Sequence, residues 1–136
     1  MPCPYFKPDT VASNPQYTHA RLPLLDEYEG QCCATEDRIA VPEALRFRCC
    51  NHGYSQGACD RFPNTESRSC LRYTVLSRTL AGLDVLCVEE QAHFPVRWQA
   101  VRYSPQNDEF DPAPDDVCMR AQLRAFCRSY LRRFSD

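Results

Sequence analysis

Ten cysteines stand in this chain of 136 residues, at positions 3, 32, 33, 49, 50, 59, 70, 87, 118 and 127. No other feature constrains the fold as much, because so many thiols must be crosslinked, bound to metal or buried. The opening stretch, Met1-Pro2-Cys3-Pro4-Tyr5-Phe6-Lys7, has no basic region followed by an apolar core, so no export leader is read there. The expected setting is a reducing cytoplasm, where grouped cysteines more often bind metal or do redox chemistry than form disulfides. Their distribution divides the chain. Six lie in the first 59 residues, in loop-like sequence. The other four, Cys70, Cys87, Cys118 and Cys127, sit inside apolar patterns, where a free thiol behaves as a small hydrophobe.

The length suits one domain, here read as a cysteine-bearing segment, 1–66, on a sheet-plus-helix scaffold, 67–136. A hydrophobic fraction of 43% and a charged fraction of 25% are ordinary for a globular chain and argue against disorder. No apolar run approaches the roughly 18 residues that span a bilayer. A net charge of −2 argues against a nucleic-acid binder, which is usually basic.

Residues 1–40 show little periodicity, and Pro2, Pro4, Pro8, Pro15 and Pro23 keep helix interiors and central strands out of them. Such a segment needs something else to hold it. A short helix is expected over 42–50, started by Pro42 and ended by Asn51 or Gly53. In the second half Leu71, Tyr73 and Val75 alternate with Arg72 and Thr74, as in a strand. Ala81-Gly82 marks a hairpin turn before an apolar strand over 83–88. Val96 and Trp98 alternate in one phase, and Val101 and Tyr103 in the other, which predicts a bulge near Ala100. A helix over 115–133 carries Met119, Leu123, Phe126, Cys127, Tyr130 and Phe134 on one apolar stripe. The expected class is α+β: an irregular Cys/Pro-rich first half with a short helix, then a three-stranded antiparallel meander covered by the C-terminal helix.

Among the early cysteines the best four-ligand set is Cys3, Cys32, Cys50 and Cys59, spaced C-x28-C-x17-C-x8-C. The absence of any C-x2-C counts against zinc ribbons, zinc fingers and ferredoxin runs, whose ligands come in close pairs. Four separated thiolates can still surround a [4Fe–4S] cube, which is larger than one zinc ion. Spacing alone ranks iron–sulfur only slightly above zinc, and it does not choose between Cys32 and Cys33 or between Cys50 and Cys49. Gly30, Gly53 and Gly57 lie beside these cysteines, and glycine allows the close backbone approach a thiolate site uses. Tyr5, Phe6, Tyr28, Tyr54 and Phe62 offer a collar that keeps water away. His52 is a conceivable nitrogen ligand, although a loop histidine is more often solvated. A Cys59–His52 catalytic pair would lack any nameable oxyanion or orienting group. His19 and His93 have no neighbouring nucleophile.

The strings Cys3-Pro4-Tyr5-Phe6, Gly30-Gln31-Cys32, Cys50-Asn51-His52-Gly53-Tyr54 and Gly57-Ala58-Cys59-Asp60-Arg61-Phe62-Pro63 resemble those of a group of small bacterial cysteine-rich proteins. In that group CPYF, GxC and CNxGYxxGxCxRFP precede an Arg-rich helix. The resemblance covers most of the chain, with its specific motifs in the first 63 residues. It implies one ligand from each string, for an iron–sulfur cluster, and so favours Cys32 over Cys33 and Cys50 over Cys49. It brings no established activity.

Two functions from different classes follow. One is a cytoplasmic iron–sulfur protein for electron transfer or redox sensing, in which thiolates fill every iron site and leave none open for substrate. The other is a zinc-stapled interaction module. An enzyme built on a three-cysteine cluster would need one of the four thiols not to ligate. Arg120, Arg124, Arg128 and Arg132 recur every four residues and form one basic helix face. That face is read first as a solvated surface and then as a docking site for an acidic redox partner. The Cys50–Cys59 loop, polar and with no aliphatic side chain larger than Ala58, is the expected place for a cluster to approach the surface.

Overall fold

The structure, a computed structural model, describes residues 2–15, 22–35, 37–52, 59–63, 70–92 and 94–134. The proline-rich first half is more regular than its sequence predicts. Strands β1 (Phe6–Val11), β2 (Tyr28–Cys32) and β3 (Ile39–Ala40) form an antiparallel sheet in that order. Pro8 is tolerated because β1 is an edge strand, where a missing N–H need not break the ladder. The register also slips between Pro8 and Thr10. Gly30 lies opposite Pro8, and a Cβ there would stand 2.2 Å from the Lys7 carbonyl oxygen. Only glycine lets the two strands come this close.

The helix expected over 42–50 is present but changes winding. One α-turn, α1 (Glu43–Leu45), passes into a π-helical stretch over Arg46–Asn51, with the His52 N–H donating to the Phe47 carbonyl at 3.1 Å. Asn51 holds this stretch against β2. Its Nδ2 donates to the carbonyls of Arg46 at 2.9 Å and Tyr28 at 3.0 Å, while its Oδ1 accepts from the Tyr28 N–H at 2.8 Å. Arg46 is buried beside Glu27, Nε to Oε2 at 2.7 Å, and its Nη2 donates to Asn14 Oδ1 at 3.2 Å.

The second sheet has four strands, β4 (Cys70–Thr79), β5 (Gly82–Gln91), β6 (Phe94–Ser104) and β7 (Glu109–Asp111), paired antiparallel in that order. The three-stranded meander therefore gains a short fourth strand from the polar loop after Ser104. The bulge near Ala100 is not there. The β5–β6 register runs unbroken through Leu86↔Ala100 and slips at Val96, between Glu89↔Arg97 and Glu90↔Pro95. The change of phase has a simpler cause: Trp98 is 66% exposed on the outer face, while Val101 and Tyr103 are buried on the inner one.

Helix α2 (Val117–Arg133) starts two residues later than expected, capped by Asp116, whose side chain accepts from the Met119 N–H at 2.8 Å. It lies between the sheets and buries two faces. Leu123, Phe126 and Cys127 meet the four-stranded sheet, with Phe126 packed on Tyr73 at 5.8 Å between ring centres. Gln122, Ala125 and Ser129 face the first half, where the Tyr28 hydroxyl donates to the Ala125 carbonyl at 2.9 Å. One continuous core runs from Cys3, Phe6, Leu24 and Tyr28 through Leu123 and Phe126 to Leu83, Val85 and Val101. The architecture is α+β. No helix among the described residues is long and apolar enough to cross a membrane.

Candidate functional site

The four cysteines expected as ligands are fixed by three local devices. Cys3 opens a turn in which the Phe6 N–H donates to the Cys3 carbonyl at 3.0 Å, with Pro4 at the second position, where its fixed φ fits. Cys59 opens a turn of the same kind, closed by the Phe62 N–H at 3.1 Å. Cys32 ends β2 and pairs with Phe6. Cys50 lies in the π-helical stretch, and its carbonyl accepts from the Cys3 N–H at 3.0 Å, joining two of the segments directly.

Their side chains meet. Cys3, Cys32, Cys50 and Cys59 line one open cavity, with Cys49, Tyr5, Phe6, Ala34, Arg61 and Phe62 completing the wall. Tyr5 and Phe62 stand edge to face across 5.4 Å, part of the expected collar. Tyr28 does not join it, because its ring is buried beneath α2.

The neighbouring-cysteine choices come out unevenly. Cys33 lies outside the cavity, and its N–H donates to the Tyr5 carbonyl at 2.8 Å. Cys49 lies inside it, a fifth thiol that neither spacing nor motif selects. Burial pushes the Cys50 thiol well up, and the sulfurs of Cys3, Cys32, Cys59 and Cys49 add to the rise. Burial also raises the Cys49 thiol, and the neighbouring Cys59 sulfur adds to the rise. Thiols that raise one another in this way would repel as thiolates, so the group calls for positive charge.

Arg61 brings some of that charge to the cavity wall. Its Nη2 is anchored on Thr35 Oγ1 at 3.0 Å, yet its buried Nε has no hydrogen-bond partner among the described residues. No sequence signal marks this arginine beyond its place in the Cys59-Asp60-Arg61-Phe62-Pro63 string. Among the described residues no group of three or more His, Cys, Asp or Glu side chains is placed to hold a metal ion.

Other sequence candidates fall elsewhere. His52 is exposed and is absent from the cavity wall. Residues 53–58, the centre of the proposed surface loop with Gly53, Tyr54 and Gly57, lie outside the described residues, as do His19 and His93. Cys70, Cys87, Cys118 and Cys127 are buried, and burial pushes Cys87 up to about 12.

The arginine face is engaged by the chain's own groups. Arg120 donates to the Pro114 carbonyl at 3.1 Å, and Arg124 and Arg128 share Asp108 at 2.9 and 2.6 Å. Arg132 pairs with Asp26 together with Arg133. Comparison with protein-family models, with curated proteins and with solved structures finds no match to this chain.

Proposed function

We propose that Cys3, Cys32, Cys50 and Cys59 hold one [4Fe–4S] cluster, and that the protein is a cytoplasmic one-electron carrier or redox sensor. One observation carries this reading: cysteines from four separate segments line a single cavity whose wall also includes Arg61, and the buried Nε of Arg61 has no hydrogen-bond partner among the described residues. Four thiolates around a cluster leave a net negative charge, which suits that nitrogen. A zinc site would instead draw four donors to one point at Zn–S distances of about 2.3 Å. A bound cluster would supply one-electron chemistry, at a potential set by charge, sulfur hydrogen bonds and exposure.

The chain's own part is structural and electrostatic. Tyr5, Phe6 and Phe62 limit water at the cavity. Arg61 offers an N–H and a positive charge to whatever fills it. With each iron held by a thiolate, this reading includes no substrate activation and so no enzyme activity of the protein by itself. A redox partner of acidic surface would meet mainly Arg128 and Arg132, whose side chains remain 55% and 53% exposed although each is paired.

Anaerobic purification with iron, sulfide and zinc analysis tests the reading. Brown protein with about four irons and four sulfides is the expected result. Colourless protein with one zinc would overturn it. Serine at Cys3, Cys32, Cys50 or Cys59 should abolish iron binding, whereas serine at the core cysteines Cys70, Cys87, Cys118 or Cys127 should leave it in place.

A further inference from the structure

Strand β6 has one end that the rest of the fold does not cover. Positions 94–100 are all exposed, with Phe94, Val96 and Trp98 at 72%, 50% and 66%. Short β7 pairs with β6 only at Arg102, Tyr103 and Ser104, so among the described residues nothing pairs with the rest of that edge. The edge also offers backbone groups. A Cβ on Gly82 would stand 1.9 Å from the Tyr103 carbonyl oxygen, so that carbonyl points to β5. Backbone groups alternate in direction along an antiparallel strand, and the β5–β6 register is unbroken from Arg97 to Tyr103. Val101 and Gln99 therefore face β5 as well, while the N–H and C=O groups of Trp98 and Ala100 face the open side. An apolar open edge is a template for another strand.

We propose that this edge pairs with its own counterpart in a second copy of the chain, antiparallel about a two-fold axis at Gln99. Each Trp98 then stands opposite Ala100 of the second copy, and the two residues exchange N–H···O bonds. Both lie on the outer face, where Ala100 is paired with half-buried Leu86 and Trp98 with half-buried Val88. Small Ala100 leaves room there for the incoming indole.

The strand is compatible with itself in this register. The residue on the axis meets its own copy, and Gln99 tolerates that because an amide both donates and accepts. Arg97, the one charge between 94 and 101, falls opposite Val101 and so lies about 13 Å along the strand from its counterpart. It keeps Glu89 of its own chain at 4.0 Å. Phe94, Val96 and Trp98 present roughly 400 Å² per copy. Two copies therefore approach the roughly 1,000 Å² of a specific interface once Pro95, Gln99 and the paired backbones are added. This pairing does not depend on what fills the cysteine cavity.

Sedimentation equilibrium of the protein purified without air, from about 1 µM to about 100 µM, tests the proposal at micromolar affinity. Twice the chain mass is expected at the top of that range. Trp98 is the chain's only tryptophan, so its emission should move to the red as dilution separates the copies. A monomer at every concentration would overturn the proposal and leave the edge to a different partner. Gln99→Arg and Gln99→Glu each set like charges at the axis and should raise the dissociation constant about tenfold or more. Their equimolar mixture should recover the dimer, because opposite charges then meet, and recovery also shows that both variants fold. Leu80→Ser removes a fully exposed leucine between β4 and β5 and should dimerise as the parent does. Dimers that persist in both charged variants, or a mixture as weak as either alone, would place the contact elsewhere and overturn the pairing at β6.

Discussion

Gln122 donates from its side-chain amide to the carbonyl oxygen of Cys3 at 2.7 Å, across a sequence separation of 119 residues. The same nitrogen donates to the Phe6 carbonyl at 2.7 Å, and the Gln122 Oε1 accepts from the Tyr73 hydroxyl at 2.9 Å. One fully buried amide thus joins the cysteine turn, the middle of α2 and the four-stranded sheet. The proline-rich half needs an outside support, and this amide is one of its buried polar ones. A buried donor or acceptor left without a partner costs about 1–3 kcal/mol. Gln122→Met keeps the volume and removes all three bonds. It should destabilise by about 2 kcal/mol, which is about 8 °C in Tm for a chain of this size. Thermal unfolding and iron content measured together check this, since the Cys3 turn should loosen along with the fold. An unchanged Tm would show that the amide does not support the turn.

Asn51 makes a sharper case because its two ends play different roles. Asn51→Asp keeps the acceptor for the Tyr28 N–H and replaces the donor to two carbonyls with a carboxylate oxygen. That variant should be destabilised more than Asn51→Ala, which leaves groups unpaired but sets no charge against them. Urea midpoints of the two variants decide it, and the reverse order would sink the argument.

The second half is legible in the sequence because its periods are clean. Tyr73 and Val101 alternate with exposed neighbours in the strands that carry them, Leu83–Val88 is an apolar run of strand length, and Leu123, Phe126 and Cys127 recur at helical spacing. The first half hides its strands. β1 contains Pro8 and a register slip, and β2 is buried at Tyr28 but only half-buried from Glu29 to Cys32, so neither alternates. Gln122 gives no signal because a polar residue in a helical pattern reads as solvent-facing, unless the helix is known to bury two faces. The exposed Trp98 breaks the opposite rule, and its apolar character imitates a change of face. Cys49 is hidden for a local reason. Adjacent helical residues are expected to point apart, and only the π-helical winding at Arg46–Asn51 accompanies both Cys49 and Cys50 on one wall.

Asp26 gives the fold a predictable acid response. Burial alone would raise its carboxyl, but hydrogen bonds from Ser129, Arg133 and Arg132 outweigh burial and hold it below the ordinary value of 3.8. A carboxylate depressed in the folded state contributes stability that is complete above its unfolded value and is lost as pH falls through the folded one. Asp26→Asn should therefore be less stable than the parent at pH 7, with the gap closing below about pH 4. Denaturant midpoints from pH 7 down to pH 2 measure that gap. A constant difference across the range would mean that the ionised form of Asp26 contributes nothing.

Arg61 supplies the prediction most specific to the cavity. Its guanidinium is anchored at one end by Thr35 and Asp37, with Nη2 to Thr35 Oγ1 at 3.0 Å and to the Asp37 carbonyl at 3.5 Å, while the buried Nε lacks a partner among the described residues. A positive charge beside a cluster favours its more negative, reduced form, and in a partly buried site that attraction is only weakly screened. Arg61→Gln removes the charge but keeps a side-chain donor of similar reach. With the proposed cluster in place, the midpoint potential should fall by an amount on the order of tens of millivolts, while the absorption spectrum and the iron content stay those of the parent. Arg61→Lys, which keeps the charge without the planar donor fork, should recover most of the potential. Protein-film voltammetry of the three proteins measures these shifts directly. Equal potentials in all three would place Arg61 among the purely structural contacts of the Cys59 turn, and a lower potential in the lysine variant alone would mean that the geometry of the donor outweighs the charge.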